Sequence, residues 1–251
     1  MMTKNEKLKT YSLKEIPYYH IYGRTDETQN PLPLFWNGSG IEVNVTGSEL
    51  WIDLDVDCNF HEPWIATELN GAFMSRQMLL PGSYSICLFR NMTFDVSKTM
   101  KFFRELQAMS EDDDCHVFVR GFRCDGEFLP VKEFKYKIEF IGDSITSGEG
   151  TYGAISDTDW LTMYMSSSEN YATYTAKALD ADYRLISQGG WGVYCGWDND
   201  VRHNIPSCYE KICGLGLGKV NEAVGAQKDY NFASWKPVKL SSNTKILMEA
   251  S

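Results

Sequence analysis

The segment Phe140-Ile141-Gly142-Asp143-Ser144 decides the fold, because an apolar strand runs directly into a loop rich in glycine and serine. The pattern over residues 136–141 predicts a strand. Ser144 then follows at an exposed, sharply turned position, where a nucleophilic serine can reach a carbonyl carbon. Small neighbours let backbone N–H groups face the oxyanion that forms. Taken alone, a Gly-Asp-Ser sequence fits equally a serine that caps the end of a strand.

The residues that follow predict a helix and a second strand. Ser166 and Glu169 have the spacing of a capping box, and a helix is expected over 170–179 with Tyr171 and Tyr174 on one face. A strand over 182–188 comes next. A strand, a helix and a strand with short links indicate a βαβ unit in a parallel sheet.

The second strand ends in Gly189-Gly190-Trp191-Gly192. Ligands of open parallel sheets bind beyond the carboxyl ends of the strands, and both Ser144 and Gly190 fall there. The backbone of Gly190 could therefore supply a further N–H beside Ser144. The alternative is a tight loop that needs glycine for conformational reasons.

Residues 20–130 have a different pattern, with short alternating strands and turn signals. Two hairpins are predicted, one turning at 46–48 between strands at 41–45 and 50–56, the other turning at Asn70-Gly71. Further strands are predicted over 84–89 and 116–122, and a helix over 98–109. Many short strands favour a β-sandwich or jelly roll.

The composition narrows the classes of partner. The chain has 251 residues and a formal net charge of −10, so it repels polyanions and nucleic acid is not expected as a partner. No apolar stretch approaches the ~18 residues of a membrane span, and no leader is visible. Seven scattered cysteines without a Cys-x-x-Cys pair predict neither a zinc site nor a redox dithiol. A cytoplasmic location is expected, and no cofactor or metal.

Residues 140–150 resemble the first conserved block of the SGNH (or GDSL) hydrolases, and Glu169 through Tyr194 resembles the second block in carbohydrate esterase family 2. That family also carries a jelly roll ahead of the hydrolase domain. Here Trp36 to Glu42 and Phe118 to Phe122 are similar to pieces of it. The resemblance covers roughly residues 20–237.

The resemblance implies an N-terminal extension over 1–19, a jelly roll over 20–132 and a hydrolase domain over 133–251. The fold class is α/β plus all-β, with an incomplete three-layer α/β/α domain built on a parallel sheet. The implied reaction removes acetyl groups from xylan- or glucomannan-type polysaccharides or their oligomers. Ser144 matches the nucleophile and one oxyanion donor, and Gly190 matches the other donor. Trp191 is the candidate sugar-binding aromatic, with a packing role as the alternative.

Two departures from the family accompany this resemblance. Gly189 stands where serine is usual. The later Gly-x-Asn-Asp and Asp-x-x-His blocks are not found after Pro237, and Asp200-Val201-Arg202-His203 has the spelling of the last block at the wrong place in the chain.

We therefore expect the hydrolase domain to lack its C-terminal part and hydrolysis to be severely impaired. A sugar-binding module without hydrolysis and an inactive remnant remain alternatives, and the oligomeric state is open.

Overall fold

The structure is a computed structural model that describes residues 8–112, 114–209 and 211–212. The strands of this part are β1 (Lys9–Ser12), β2 (His20–Tyr22), β3 (Leu32–Leu34), β4 (Gly40–Val45), β5 (Leu50–Asp57), β6 (Trp64–Leu69), β7 (Ala72–Met78), β8 (Gly82–Phe89), β9 (Lys98–Arg104), β10 (His116–Cys124), β11 (Phe128–Leu129), β12 (Tyr136–Gly142) and β13 (Ala181–Ser187). The α-helices are α1 (Ser144–Ser147), α2 (Tyr171–Ala178) and α3 (Ile205–Cys208), and 3₁₀ turns span Leu13–Glu15 and Thr162–Tyr164.

The first eleven strands form two antiparallel sheets. One has the order β1-β10-β5-β8, with β3 also paired to β10. The other has the order β11-β4-β9-β6-β7, with β2 also paired to β4. The alternating apolar residues of β5 point inward, because Leu50, Ile52 and Leu54 are fully buried between the sheets. The predicted β-sandwich is therefore confirmed, and β1 extends it to residue 9.

The hairpin predicted to turn at residues 46–48 is wrong. The strand before the turn, β4, pairs with β9, β2 and β11, whereas the strand after it, β5, pairs with β10 and β8 in the other sheet. Alternation reports only that one face of a strand is buried. A hairpin and a corner between two packed sheets share that pattern.

The hairpin predicted at Asn70-Gly71 is confirmed. Strands β6 and β7 pair antiparallel on either side of it, and Asn70 and Gly71 have φ values of 52° and 80°. Positive φ at both positions is what a type I′ turn requires.

The helix predicted over 98–109 is also wrong, since residues 98–104 form β9 between β4 and β6. Phe102 and Phe103 are adjacent, and both are fully buried. Residues next to each other on a strand point to opposite faces, so β9 is covered on both faces. A strand covered on both faces loses its polar alternation, and its apolar run matched a helical spacing by chance.

The parallel unit follows the sandwich, as predicted. β12 and β13 pair in parallel from Tyr136 opposite Ala181 to Gly142 opposite Ser187, and α2 connects them. The helix begins after Asn170, whose side chain accepts a hydrogen bond from the N–H of Thr173. Asn170, and not the predicted Ser166, is thus its N-cap.

The parallel unit packs against the outer face of the second sheet of the sandwich. The Lys101 ammonium of β9 donates to the Tyr183 hydroxyl of β13 at 3.0 Å, and the Lys177 ammonium of α2 lies 2.7 Å from the Glu68 carboxylate of β6. No helix in the described ranges is long and apolar enough to cross a membrane.

Candidate active site

Ser144 is the first residue of α1, two positions beyond the end of β12. The Asp143 carboxylate accepts a hydrogen bond from the N–H of Ile145 at 3.1 Å, and so caps this short helix. Gly148 ends the helix in the left-handed region with φ of 74°. Ser144 is partly exposed, whereas Thr146 and Ser147 are buried. The strand end thus presents the serine, while the last two residues of the helix are packed.

A polar network fixes the buried side of α1. The side-chain amides of Asn37 and Asn170 donate to the carbonyl of Thr146 at 3.3 and 3.0 Å. The Ser147 hydroxyl donates to the Ser187 hydroxyl, which donates to the Asn37 side-chain oxygen. Asn37 is fully buried and belongs to the sandwich. The sandwich therefore holds the helix that carries Ser144.

Gly190 lies in the turn that follows β13. Its φ is 75°, and its carbonyl accepts a hydrogen bond from the N–H of Trp197 at 2.9 Å. Because Gly142 and Ser187 are paired neighbours at the ends of β12 and β13, the turns bearing Ser144 and Gly190 leave the same edge of the sheet. Within the described residues, no group accepts a hydrogen bond from the N–H of Ser144 or of Gly190.

Gly189 is held by a residue of the sandwich. Its N–H donates to the side-chain oxygen of Gln107 at 2.8 Å. A Cβ at Gly189 would overlap a carboxylate oxygen of Glu149, so a larger residue here would displace that side chain. Partial burial raises the pKa of Glu149, and the negative charge of Asp143 raises it further, while a hydrogen bond with Trp160 opposes the shift.

Aromatic side chains surround this edge. Trp160 and Trp197 are 44% and 86% exposed. Trp191 is half-buried against the cluster of Phe35, Trp36 and Ile186. Its ring also stacks on His203, with 5.2 Å between the centroids. The packing contacts of Trp191 are evident, and its sugar-binding role stays a prediction.

The four histidines of the sequence lie in four different settings. His20 pairs with Asp182 at 3.0 Å, and His61 with Glu111 at 3.2 Å. His116 is packed between Phe35 and Phe118. His203 follows the Gly190 turn and is the histidine that contacts Trp191.

The Asp-x-x-His segment does not form the pairing that its spelling suggests. The Nδ1 atom of His203 lies 3.4 Å from the Asp198 carboxylate, while Asp200 pairs with Arg202. These hydrogen bonds to Arg202 lower the pKa of Asp200. The ligand atoms of Asp198, Asp200 and His203 also lie within 4.8 Å of one another, but Arg202 pairs with Asp200, and no further feature of the described residues indicates a cation.

Several residues of this site had no predicted role. Asn37 lies in a stretch that resembles the family, yet nothing in its spacing indicates that it reaches Thr146. Gln107 fell inside the helix that was predicted over 98–109. Contacts of this kind join residues that are far apart in the chain, such as Gln107 and Gly189, and local patterns do not report them.

Comparison with known proteins agrees with this architecture. No family model matches the chain. A family two carbohydrate esterase from Clostridium thermocellum, solved in complex with cellohexaose, superposes with a TM-score of 0.71 at 23% identity, over 80% of this chain and 60% of that one. An acetyl xylan esterase from the rumen bacterium Butyrivibrio proteoclasticus superposes with a TM-score of 0.87 at 58% identity, over 91% of this chain and 62% of that one.

The chain has the fold of the family 2 carbohydrate esterases. The resemblance to that family, a sandwich followed by an SGNH-type parallel unit, is thereby confirmed. Among curated proteins, an acetylxylan esterase / glucomannan deacetylase from Cellvibrio japonicus is 34% identical over 90 residues, which is 35% of this chain and 25% of that protein. The chain spans less than two thirds of each of these family 2 relatives.

Proposed function

We propose that the chain removes O-acetyl groups from xylan- or glucomannan-type polysaccharides or oligosaccharides. The observation that carries the proposal is the shared sheet edge of Ser144 and Gly190, whose N–H groups have no acceptor in the described part of the chain. The likeness to the Butyrivibrio acetyl xylan esterase supports the substrate class.

The proposed reaction is acyl transfer in two steps. The Ser144 oxygen attacks the acetyl carbonyl carbon and gives up its proton, and the carbonyl oxygen becomes an oxyanion that accepts hydrogen bonds from the N–H groups of Ser144 and Gly190. Collapse breaks the bond to the sugar oxygen, which leaves with a proton. Water then releases acetate from the acetyl-enzyme. Each oxyanion donor contributes about 3–4 kcal/mol to the transition state.

The proton of Ser144 requires a base. Triads recur in different chain orders, so the position of a histidine in the sequence does not decide its role. His203 follows the Gly190 turn, and Asp198 faces its Nδ1 atom. We propose His203 as the residue to test first for this role.

The test is acetate release from an acetylated xylo-oligosaccharide by the chain and by Ser144→Ala. We expect Ser144→Ala to lose nearly all of the acetate release above the buffer rate, because removing one member of a cooperating catalytic set costs about as much as removing all of them. Ser83→Ala is the matched control, since Ser83 lies on the far face of the sandwich and bonds Asp55. A loss in His203→Ala of the same size as in Ser144→Ala would identify the base.

Two outcomes contradict the proposal. Acetate release that survives Ser144→Ala would show that another group performs the attack. Glycan binding without any acetate release, equal in Ser144→Ala, would favour a carbohydrate-binding module.

A further inference from the structure

The three residues that leave β9, Glu105 to Gln107, connect the sandwich to both turns of the candidate site. We name this segment the brace. It is buried throughout, with Glu105 and Leu106 fully buried and Gln107 2% exposed. The guanidinium of Arg104, also fully buried, donates to the carbonyls of Leu106 and Gln107 at 2.7 and 2.9 Å. Arg104, a residue of the sandwich, therefore fixes the backbone conformation of the brace.

The first end of the brace holds the loop that supports α1. The Glu105 carboxylate accepts hydrogen bonds from the N–H groups of Ser167 and Ser168 at 2.5 and 2.9 Å, and from both of their hydroxyls. The adjacent Ser166 donates its N–H to the carbonyl of Gly148 at 3.0 Å. Gly148 ends the helix that Ser144 begins, and a Cβ on it would overlap the Ser166 carbonyl. Glu105 thus reaches the nucleophile turn through one loop.

The second end holds the glycine turn. The side-chain oxygen of Gln107 accepts the N–H of Gly189 at 2.8 Å, directly before the proposed donor Gly190. A Cβ at Gly189 would lie 3.2 Å from the Gln107 amide nitrogen, in addition to overlapping Glu149. The side chain of Gln107 is therefore packed closely against residue 189.

We infer that Gln107 is a positioning residue, through which the sandwich sets the place of the Gly190 N–H relative to Ser144. The inference rests on the proposed function. Oxyanion donors must lie 2.7–3.1 Å from the developing charge, and a misplacement of about 1 Å can lower a rate by about 10²-fold. One end of the buried brace holds the loop that supports α1, and the other end holds the glycine turn, so the separation of the two donors depends on the brace.

The test compares two variants of nearly equal size. Gln107→Met removes the acceptor oxygen, and Gln107→Glu keeps one. We expect Gln107→Met to lower kcat for an acetylated xylo-oligosaccharide roughly 10- to 100-fold with little change in KM, because the oxyanion exists only in the transition state. We expect Gln107→Glu to recover part of that loss, because it keeps the acceptor oxygen but buries a charge beside Glu149. Gln77→Met on β7 is the control for the substitution itself.

A second readout does not depend on turnover. Amide hydrogen exchange followed by NMR reports the Gly189 N–H, which we expect to exchange on the order of 10-fold faster in Gln107→Met and at an intermediate rate in Gln107→Glu. A folded Gln107→Met protein with unchanged Gly189 exchange and unchanged kcat overturns the inference. If the unsubstituted chain shows no Ser144-dependent hydrolysis, the proposed function fails, and the exchange rates alone decide whether Gln107 holds the turn.

Discussion

Individual residues at the sheet edge are constrained by backbone conformation and by close neighbours. Gly190 has a left-handed backbone, and a Cβ on it would lie 2.6 Å from the Trp197 ring. Gly142 is constrained differently, because a Cβ on it would overlap the side chain of Thr146 in the following helix. Glycine is therefore required on both sides of the candidate oxyanion position, for two separate steric reasons.

Gly190→Ala tests whether a single glycine sets both the stability of this turn and the position of its N–H. The left-handed backbone costs a residue with a Cβ about 1–2 kcal/mol of unfolding free energy. We also expect acetate release to fall roughly 10²-fold, because a shifted turn misplaces the Gly190 N–H. Urea denaturation measures the first effect, and steady-state kinetics the second.

Gly71→Ala is the matched control for this substitution. Gly71 has a similar φ of 80°, but apart from its chain neighbours no atom of the described residues lies within 4 Å of the position of its Cβ. We expect a comparable loss of stability with unchanged acetate release. Equal losses of activity in the two variants would mean that lowered stability, and not the position of the donor, explains the Gly190 result.

Short elements gain their stability from contacts outside themselves. Helix α1 has four residues, too few to be stable alone, and its carbonyl at Thr146 is held by the amides of Asn37 and Asn170. Asn170 also caps α2. One side chain thus fixes the start of one helix and the interior of another.

Asn170→Ala and Asn170→Asp separate the two roles of this side chain, the cap of α2 and the hydrogen bond to α1. We expect Asn170→Ala to lower the free energy of unfolding by about 1–3 kcal/mol, since it removes a cap and a buried hydrogen bond. Asn170→Asp keeps the cap acceptor and removes the amide donor to Thr146. We expect it to recover part of the stability in thermal or urea denaturation while acetate release stays reduced.

Asn44→Ala serves as the comparison, because the Asn44 amide on β4 also donates to a backbone carbonyl, that of Pro130, and Asn44 contacts neither α1 nor the glycine turn. Its effect on acetate release should be small. Full activity in both Asn170 variants would show that the amide bond to Thr146 does not position Ser144.

At the scale of the whole molecule, the sandwich supplies much of the support for the parallel unit. Asn37, Glu105 and Gln107 all come from the sandwich. Asn37 contacts α1, Gln107 contacts the glycine turn, and Glu105 contacts the loop that supports α1. Buried ionic and aromatic contacts, such as Lys101 against Tyr183, join the same two parts. The sandwich is thus a structural part of the site as well as a neighbouring fold.

The pH dependence of stability is a property of the whole molecule that the structure predicts. Burial lowers the pKa of His116 to about 4, and the charge of Arg104 lowers it as well, while Asp114 and Asp112 oppose the shift. In the unfolded chain its pKa is about 6.5. The unfolded state therefore binds more protons, and the stability contributed by neutral His116 is complete above pH 6.5 and is lost as the pH falls towards 4.

We expect His116→Gln to flatten this dependence. Between pH 7 and pH 5 the unsubstituted chain should lose up to about 2 kcal/mol of unfolding free energy through this group, and the variant should not. Urea denaturation at the two pH values measures the difference. The same slope in both proteins would show that His116 is not the group responsible.

The sequence alone predicted the parallel unit, the Asn70-Gly71 hairpin and the sandwich class, because local periodicity and turn chemistry determine those features. It also predicted that Ser144 and Gly190 follow the ends of two neighbouring strands, as they do, and their catalytic roles stay predictions. The tertiary structure decided that the turn at 46–48 crosses between sheets, that residues 98–104 are a strand covered on both faces, and that Asn37 and Gln107 reach the site. Contacts between residues distant in the chain determine these features, and a local pattern cannot distinguish one partner surface from another.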